Sequence, residues 1–542
     1  MDSIESSEHS LDVHSWLVVC TFMIVIILVI RPQKRRTKYP YHITLNIATA
    51  PVLGVLFLLA TQSIDGESVR NGIVGEPESG VEPYAVMILF FSLAYICISL
   101  DMTGVLQYAA FVISKRGGGG GQRIFLYFFL LSTIMSGLTS NDVVILTMTP
   151  FLVYFSRAVD LVTPVAFLMA EVQTANIASM ALYIGNLTNV VACQAYGVSF
   201  LEYSAWMLLP TFASIAACYV MLRINFRKEK YIPKTIKSPD VDPRSCLVDP
   251  FGAIFGLAVL SSSLICLIGT SFAHVSVWIV TGPFALLTLT RDIWHDYRGN
   301  FKGPMMASSN EKQDSTGSVS KDRPEEISIP VSSDDAPAQQ SILSPRPTTT
   351  TGARTPKHPR RRTIKHAINR FEHRWPLLYA IIIRMPWAIL PFTFSMFIMV
   401  EGLSNSGWIA IFAGWATNLI PNYIVATYAV GFISVLLCNL FNNVPMTILV
   451  ARILQHPRFV GSPLATPEVV RGCLFGLIVG SNLGACTTLI SSLAGLMWDS
   501  VLRSKKSNVG FWGFFRWNMG VMPMVIFIAL SVVVIELKVI YK

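Results

Sequence analysis

The stretch GLTSNDVVILTMTP, residues 137–150, sets Ser140, Asn141 and Asp142 side by side between the apolar runs IFLYFFLLSTIMS and FLVYF. Amides and hydroxyls donate and accept hydrogen bonds without carrying net charge, and a carboxylate among them can take up and release a proton. Together they have the chemistry to bind a polar solute and to couple that binding to a proton. Three other stretches share this character. ANIASMALYIGNLTNVV carries Asn176, Asn186, Thr188 and Asn189, with Glu171 just ahead of it in FLMAEVQ; LFNNVPMTILVARIL carries Asn442 and Asn443; SNLGACTTLISSLAGLMW carries Ser481, Asn482 and Thr487.

The elements that position these residues must be built from a very apolar chain. Of 542 residues, 52% are hydrophobic and 14% charged, and the mean hydropathy is +0.53. A soluble chain of this composition would have to hide far more apolar surface than usual. Apolar runs recur along nearly the whole length, many approaching the ~20 residues that span a bilayer as a helix, whereas a membrane β-barrel would alternate in segments of about ten. The expectation is an integral, multi-pass helical membrane protein, with the plasma membrane as the default location and an organellar membrane open. An ionised side chain at the centre of a membrane helix costs about 2.5–3.5 kcal/mol, which makes Asp142 and Glu171 candidate coupling groups.

The net charge of +10 resides in short basic clusters beside apolar runs, such as RPQKRRTK and RINFRKEK. That pattern sets topology and argues against a nucleic-acid partner. The nine cysteines are scattered without a CxxC pair, so neither a disulfide framework nor a metal site is expected, and no cofactor. The acidic N-terminus is unlike a signal peptide, so the first apolar run reads as a retained helix.

With basic flanks taken as cytoplasmic, 16–30 runs inward, 43–61 outward and 84–101 inward to the turn KRGGGGGQR. Arg123 and Arg157 then fall on one side, so the stretch between them enters and leaves on that side as a re-entrant hairpin. Residues 161–195 cross outward, 203–222 return, and 251–272 with 274–290 form an out-and-back pair. Residues 291–372, rich in Ser, Thr, Pro and charge, read as a disordered cytoplasmic linker. The expected divisions are N-terminal helices over 1–83, a first repeat over 84–290, the linker over 291–372, and a second repeat of opposite topology over 373–542.

The repeat is also visible in residues. Asp101 matches Glu401, Asn141 matches Asn442 and Asn176 matches Asn482, at offsets of 300, 301 and 306 (401 minus 101, 442 minus 141, 482 minus 176). Inverted repeats whose broken helices meet near the midplane characterise secondary transporters. The expected fold class is therefore all-α and polytopic: two inverted repeats, each with a re-entrant hairpin and a broken transmembrane helix. Gly185 and Pro445 are expected at breaks, and Asp101 and Glu401, close behind their apolar runs, read as structural acids.

The four polar stretches resemble the signatures of the arsenical pump membrane protein family of the ion transporter superfamily, which is related to citrate and dicarboxylate carriers, sodium/proton antiporters and silicon effluxers. The resemblance covers residues 84–290 and 376–540. It implies a homodimer with a scaffold and a moving transport domain, and in the arsenite branch an exchange of substrate for protons. The carboxylate branch tends to carry Ser-Asn-Thr at both tips. Here Ser140-Asn141 is followed by Asp142, and the second tip reads Asn442-Asn443.

A carboxylate beside the site repels a di- or trianion, so neutral polyols such as arsenous or silicic acid suit it better. The expected function is proton-coupled efflux of a small inorganic oxyacid across the lipid bilayer. Ser140, Asn141, Asp142, Asn176, Asn186, Asn189, Asn442, Asn443, Ser481, Asn482 and Thr487 would bind, and Asp142 and Glu171 would couple. The alternative is sodium-coupled citrate or dicarboxylate transport or sodium/proton exchange, with sodium on hairpin carbonyls and Asn side chains. An intramembrane aspartyl protease built on Asp101 and Asp142 is disfavoured, because its Tyr-Asp and Gly-x-Gly-Asp motifs are absent.

Overall fold

The apolar runs fold as helices that stop where a cap, a glycine or a polar turn offers the backbone another partner. The computed structural model describes residues 11–31, 33–35, 43–76, 80–161, 163–236, 242–273, 275–299, 359–505 and 507–541. Helix α1 (Val13–Ile30) starts on Asp12, whose carboxylate accepts from Ser15 N at 2.7 Å. A short antiparallel ribbon follows, β1 (Gln33–Arg35) against β2 (Ile43–Leu45), which with an isolated bridge between Gly120 and Thr235 makes up the β structure among the described residues. Helix α2 (Thr49–Ala60) has only 12 residues, about 18 Å of helix, so the expected crossing over 43–61 is shorter than a full span. Helix α3 (Gly66–Val74), capped by Asp65, then leads into a first series of helices.

The first series comprises α4 (Pro83–Met102), α5 (Val105–Arg116), α6 (Gly121–Leu138), α7 (Asn141–Ala158), α8 (Val165–Ala178), α9 (Leu187–Ala195) and α10 (Phe200–Asn225). Helices α11 (Pro250–Ser271) and α12 (Val277–Tyr297) follow, then α13 (Pro359–Arg374) and α14 (Pro376–Arg384). The second series is α15 (Ile389–Asn405), α16 (Trp408–Thr417), α17 (Tyr423–Phe441), α18 (Asn443–Gln455), α19 (Pro457–Val460), α20 (Pro467–Gly484), α21 (Leu493–Ser504), α22 (Phe511–Met519) and α23 (Met522–Ile540). Eight helical stretches among the described residues are long and apolar enough to cross a membrane.

The two series repeat the same plan. A long helix (α4, α15) turns through a left-handed glycine, Gly104 at φ 83° or Gly407 at φ 81°, into a short one (α5, α16). A helical hairpin follows, α6–α7 with Thr139 and Ser140 at its turn, or α17–α18 with Asn442 alone. Then comes a helix broken at mid-length, α8/α9 across residues 179–186 or α20/α21 across 485–492. Packing is reciprocal: α7 lies on α21 and α18 on α9, while α10 packs on α23. Helices α17 and α20 approach closely through Gly472, Gly476 and Gly480, where a Cβ on Gly476 would stand 2.7 Å from the Thr427 carbonyl oxygen. Small residues in such stripes let membrane helices pack backbone to backbone.

Two boundaries differ from the sequence reading. The linker was expected over 291–372, yet α12 continues to Tyr297 and α13 occupies Pro359–Arg374; residues 300–358 lie outside the described residues. Polar composition misleads at 291–296 because Arg291, Asp292 and Asp296 are satisfied inside the protein. Asp292 accepts from Ser99 Oγ at 2.7 Å and Tyr95 Oη at 3.0 Å, and Arg291 pairs with Asp249 and Asp292. Pro445, expected at a helix break, sits instead in the first turn of α18, where its missing N–H leaves no bond unmade. Gly185 does lie in a break, at the end of the 3₁₀ turn Tyr183–Gly185, where any Cβ would strike the Ser179 carbonyl.

Candidate functional site

Each hairpin tip is a helix N-terminus held by its own polar side chain. At the first, Ser140 caps α7 and accepts from Val143 N at 3.4 Å. At the second, Asn442 caps α18 at φ 71° and ψ 153°, accepting from Val444 N and donating from Nδ2 to the Ile490 carbonyl at 3.2 Å. The neighbouring Asn443 N–H donates to the Ser491 carbonyl at 2.9 Å, so the second tip is bonded to the second break. By cap register Ser140 stands opposite Asn442 and Asn141 opposite Asn443, one residue from the pairing read in the sequence. The second tip is simply one residue shorter.

The broken helices carry the amide network. Asn186 Nδ2 donates to Asn482 Oδ1 at 2.9 Å, and Asn482 Nδ2 donates to Asn189 Oδ1 at 2.7 Å, which joins the two series through side chains alone. Ser481 Oγ reaches Thr188 Oγ1 at 3.4 Å beside them. Asn189 Nδ2 also binds the carbonyls of Ser179 and Leu182 in the first break, satisfying backbone freed there. Asn176 and Asn482 hold their helices alike, donating to Val172 and Ile478 carbonyls at 2.9 Å each, and Asn176 Oδ1 accepts from Asn141 Nδ2 at 3.1 Å. All of these amides are buried.

The acids divide into two kinds. Asp101 and Glu401, paired in the sequence but standing three and six residues before the left-handed Gly104 and Gly407 that end their helices' turns, are buried and each is neutralised by an arginine. Arg384 Nη1 donates to Asp101 at 2.9 Å; Arg452 bonds Glu401 and also reaches Glu76 at 3.1 Å. Asp142 and Glu171 have no such cation. Asp142 is buried in the first turn of α7, and among the described residues no hydrogen bond or ion pair reaches its carboxylate. Glu171 accepts at Oε1 from Thr149 Oγ1 at 2.8 Å and at Oε2 from Trp498 Nε1 at 3.0 Å, so it ties α8 to α7 and α21.

The predicted residues thus fall into linked but distinct groups. Asn141 joins Asn176, and Asn186, Asn189, Ser481 and Asn482 form one network. Asn442 and Asn443 attach to the second break. Thr487 joins none of these amides: it donates to Asn439 Oδ1 at 2.8 Å, as Thr488 does. Ser140 lines a small cavity with Phe90, Leu93, Ile184 and Leu187. Asn439 was not anticipated, although it lies three residues before the tip in CNLFNN. Nothing in the sequence marked Trp498, since an indole in an apolar run reads as packing. Cys438 packs α17 on α20, its thiol against the Gly480 and Ser481 carbonyls.

Two hairpins, two interrupted helices and polar side chains joining them at the breaks define a multi-pass membrane transporter of the secondary type. Residues 11–300 match the family described as citrate transporter, and residues 377–539 match the one described as arsenical pump membrane protein. The chain belongs to the citrate transporter family, with the arsenical pump signature in its second half. It is similar to the arsenical pump membrane protein of Escherichia coli, 27% identical over 452 residues covering 83% of this chain and 86% of that one. The Yersinia enterocolitica arsenical pump membrane protein is 27% identical over 457 residues, with the same shares covered. The solved structure of the Alcanivorax borkumensis YdaH transporter aligns over 96% of both chains at a TM-score of 0.47 and 10% identity.

Proposed function

We propose that the chain is a carrier and not a catalyst, exporting a small uncharged inorganic oxyacid of the arsenite class in exchange for protons. The observation that carries this reading is the chemistry around the tips and breaks. Buried amides and hydroxyls link the tips and breaks; of the two buried carboxyls carried by α7 and α8, Glu171 accepts from Thr149 Oγ1 and Trp498 Nε1, and among the described residues neither it nor Asp142 is bonded by a Lys or Arg. A citrate-like anion brought there would meet carboxyls and no counter-charge. An uncharged triol such as arsenous acid would exchange its hydrogen bonds with water for bonds to groups that donate and accept equally well. The arsenical pump relatives support the same substrate class.

In this reading Asp142 is the main coupling group and Glu171 a second one. The two series run in opposite senses across the bilayer, meeting near its midplane, and two chains form a homodimer, as the arsenical pump resemblance implies. Arsenite flux in everted vesicles under an imposed pH gradient tests the proposal. Asp142→Asn is expected to abolish proton-driven flux while leaving substrate counterflow. Proton-driven flux at the wild-type rate would remove Asp142 from the mechanism. A second reading, sodium-coupled citrate transport, is favoured by the family match over residues 11–300. Citrate flux in proteoliposomes that follows sodium and ignores pH would establish it instead.

A further inference from the structure

Two chain segments that flank residues 300–358 meet where the apolar stretch Pro376–Asn405 begins. Asp296, near the end of α12, is buried and accepts from Leu377 N and Leu378 N at 3.0 Å each, which pins the first turn of α14 to the last turn of α12. Around this joint cations lie on aromatic faces. The Arg298 guanidinium stands 3.8 Å from the Trp294 ring centroid, and that of Arg374 stands 5.6 Å from Tyr297 and 5.4 Å from Trp375. Trp294, Tyr297, Arg298 and Arg374 are exposed, with Tyr297 at 67%.

The nearby acids do not answer those charges. Asp292 faces inward onto Ser99, Tyr95 and Arg291, and Asp296 is spent on backbone amides. Neither Arg298 nor Arg374 has an ion-pair partner among the described residues; the exposed acid beside them is Glu372. The level of the patch is set by the span it borders: the apolar stretch Pro376–Asn405, long enough to cross a membrane, begins just past Arg374, and α12 ends beside it at Tyr297. Trp and Tyr favour the headgroup level of a bilayer. A guanidinium steadied on a ring keeps its planar fork of donors free for a phosphate, which it can grip with two parallel bonds.

We propose that this surface binds the phosphate headgroups of anionic phospholipids in the cytoplasmic leaflet, and so holds both ends of the linker at the membrane. The charge of the adjoining helix fits that occupant: the α13 sequence contains Arg360, Arg361, Arg362, Lys365 and Arg370 besides Arg374. Basic clusters next to a membrane span are drawn to anionic leaflets. The proposal is independent of the transported substrate.

The test uses the purified full-length chain in mild detergent, titrated with fluorescent phosphatidylglycerol and phosphatidylcholine analogues. Wild type is expected to prefer phosphatidylglycerol. Each of Arg298→Gln and Arg374→Gln should cut that preference about fivefold, the worth of one basic side chain near an anionic surface. Arg298→Lys with Arg374→Lys, which keeps charge but loses the stacked fork, should fall between. A phosphatidylglycerol preference as strong as that of wild type in the double Gln variant would overturn the proposal, provided that its elution and melting match wild type. Complete displacement of the lipid by inorganic phosphate would also overturn it, by making the patch a site for soluble anions. If the Gln variant misfolds, the Lys pair decides: an unchanged preference refutes the stacked-arginine site.

Discussion

Glu171 separates a structural role from a proton-carrying one, because two substitutions treat its bonds differently. In Glu171→Gln the amide oxygen still accepts from Trp498 Nε1, and its NH₂ donates to Thr149 Oγ1 once that hydroxyl turns to accept. Both bonds survive, so the expected loss of stability is about 1 kcal/mol or less. In Glu171→Ala the indole N–H is left buried without a partner, at about 1–3 kcal/mol. The Thr149 hydroxyl can fall back on a carbonyl of its own preceding turn, while the vacated carboxymethyl space adds about 1–2 kcal/mol. The expected total is about 2–5 kcal/mol, read as a clear drop in melting temperature by tryptophan fluorescence of the purified protein. Flux must then be measured on both variants in vesicles under a pH gradient. If Glu171 couples, the Gln variant melts like wild type yet loses proton-driven flux. Should it transport at the wild-type rate, Glu171 is only a brace between α7, α8 and α21. An Ala variant that melts with wild type would refute the accounting of the two bonds.

Two further outcomes follow from the second series. Arg452→Gln removes the partner of the buried Glu401, and the loss should fall near the low end of the about 3–5 kcal/mol for a broken buried pair, because the pair borders a cavity shared with Asn71 and Gln455. Adding Glu401→Gln should recover most of the melting temperature; no recovery would show that Glu76 or packing dominates. At Asn442 the backbone occupies a region that suits glycine and costs other residues about 1–3 kcal/mol. Asn442→Gly should relieve that strain while giving up the bonds to Val444 N and Ile490 O, leaving thermal stability within about 1 kcal/mol of wild type. Asn442→Ala keeps the strain and gives up both bonds, so it should melt well below the Gly variant, and equal melting of the two would sink the strain argument.

Much of the architecture could be read from residue types because the membrane leaves so few options. Lipid forces spanning backbone to bond within its own helix, so Arg123 and Arg157 flanking one apolar stretch imply a hairpin, and the structure closes it at Thr139 and Ser140. The amides at 176, 186, 189 and 482 were legible because apolar surroundings make each one costly unless bonded. What could not be read was pairing. Thr487 looks equivalent to the other polar residues until Asn439 is found beside it, and the inward-facing charges of 291–296 look like linker until Ser99, Tyr95 and Leu377 are brought to them from distant segments.

The one-residue difference between the tips carries a further consequence. The repeated plan supplies two capped helix N-termini, each a ready place for negative charge or a polar oxygen. At the second tip the cap, Asn442, is bonded to the Ile490 carbonyl of the second break, and Asn443 N–H to that of Ser491, which fixes the tip to its broken helix. At the first tip, among the described residues, Ser140 makes only local bonds, to Val143 N and Val144 N, and Asn141 reaches Asn176 on the helical arm and not on the break. In the register set by the caps, Asp142 falls opposite Val444, so the acid has no counterpart in the second series. The tip bearing Asp142 is the less tethered of the two; in the mechanism proposed above it is the element that responds to the coupling ion, and the tip of the strained, doubly bonded Asn442 is the one that holds shape.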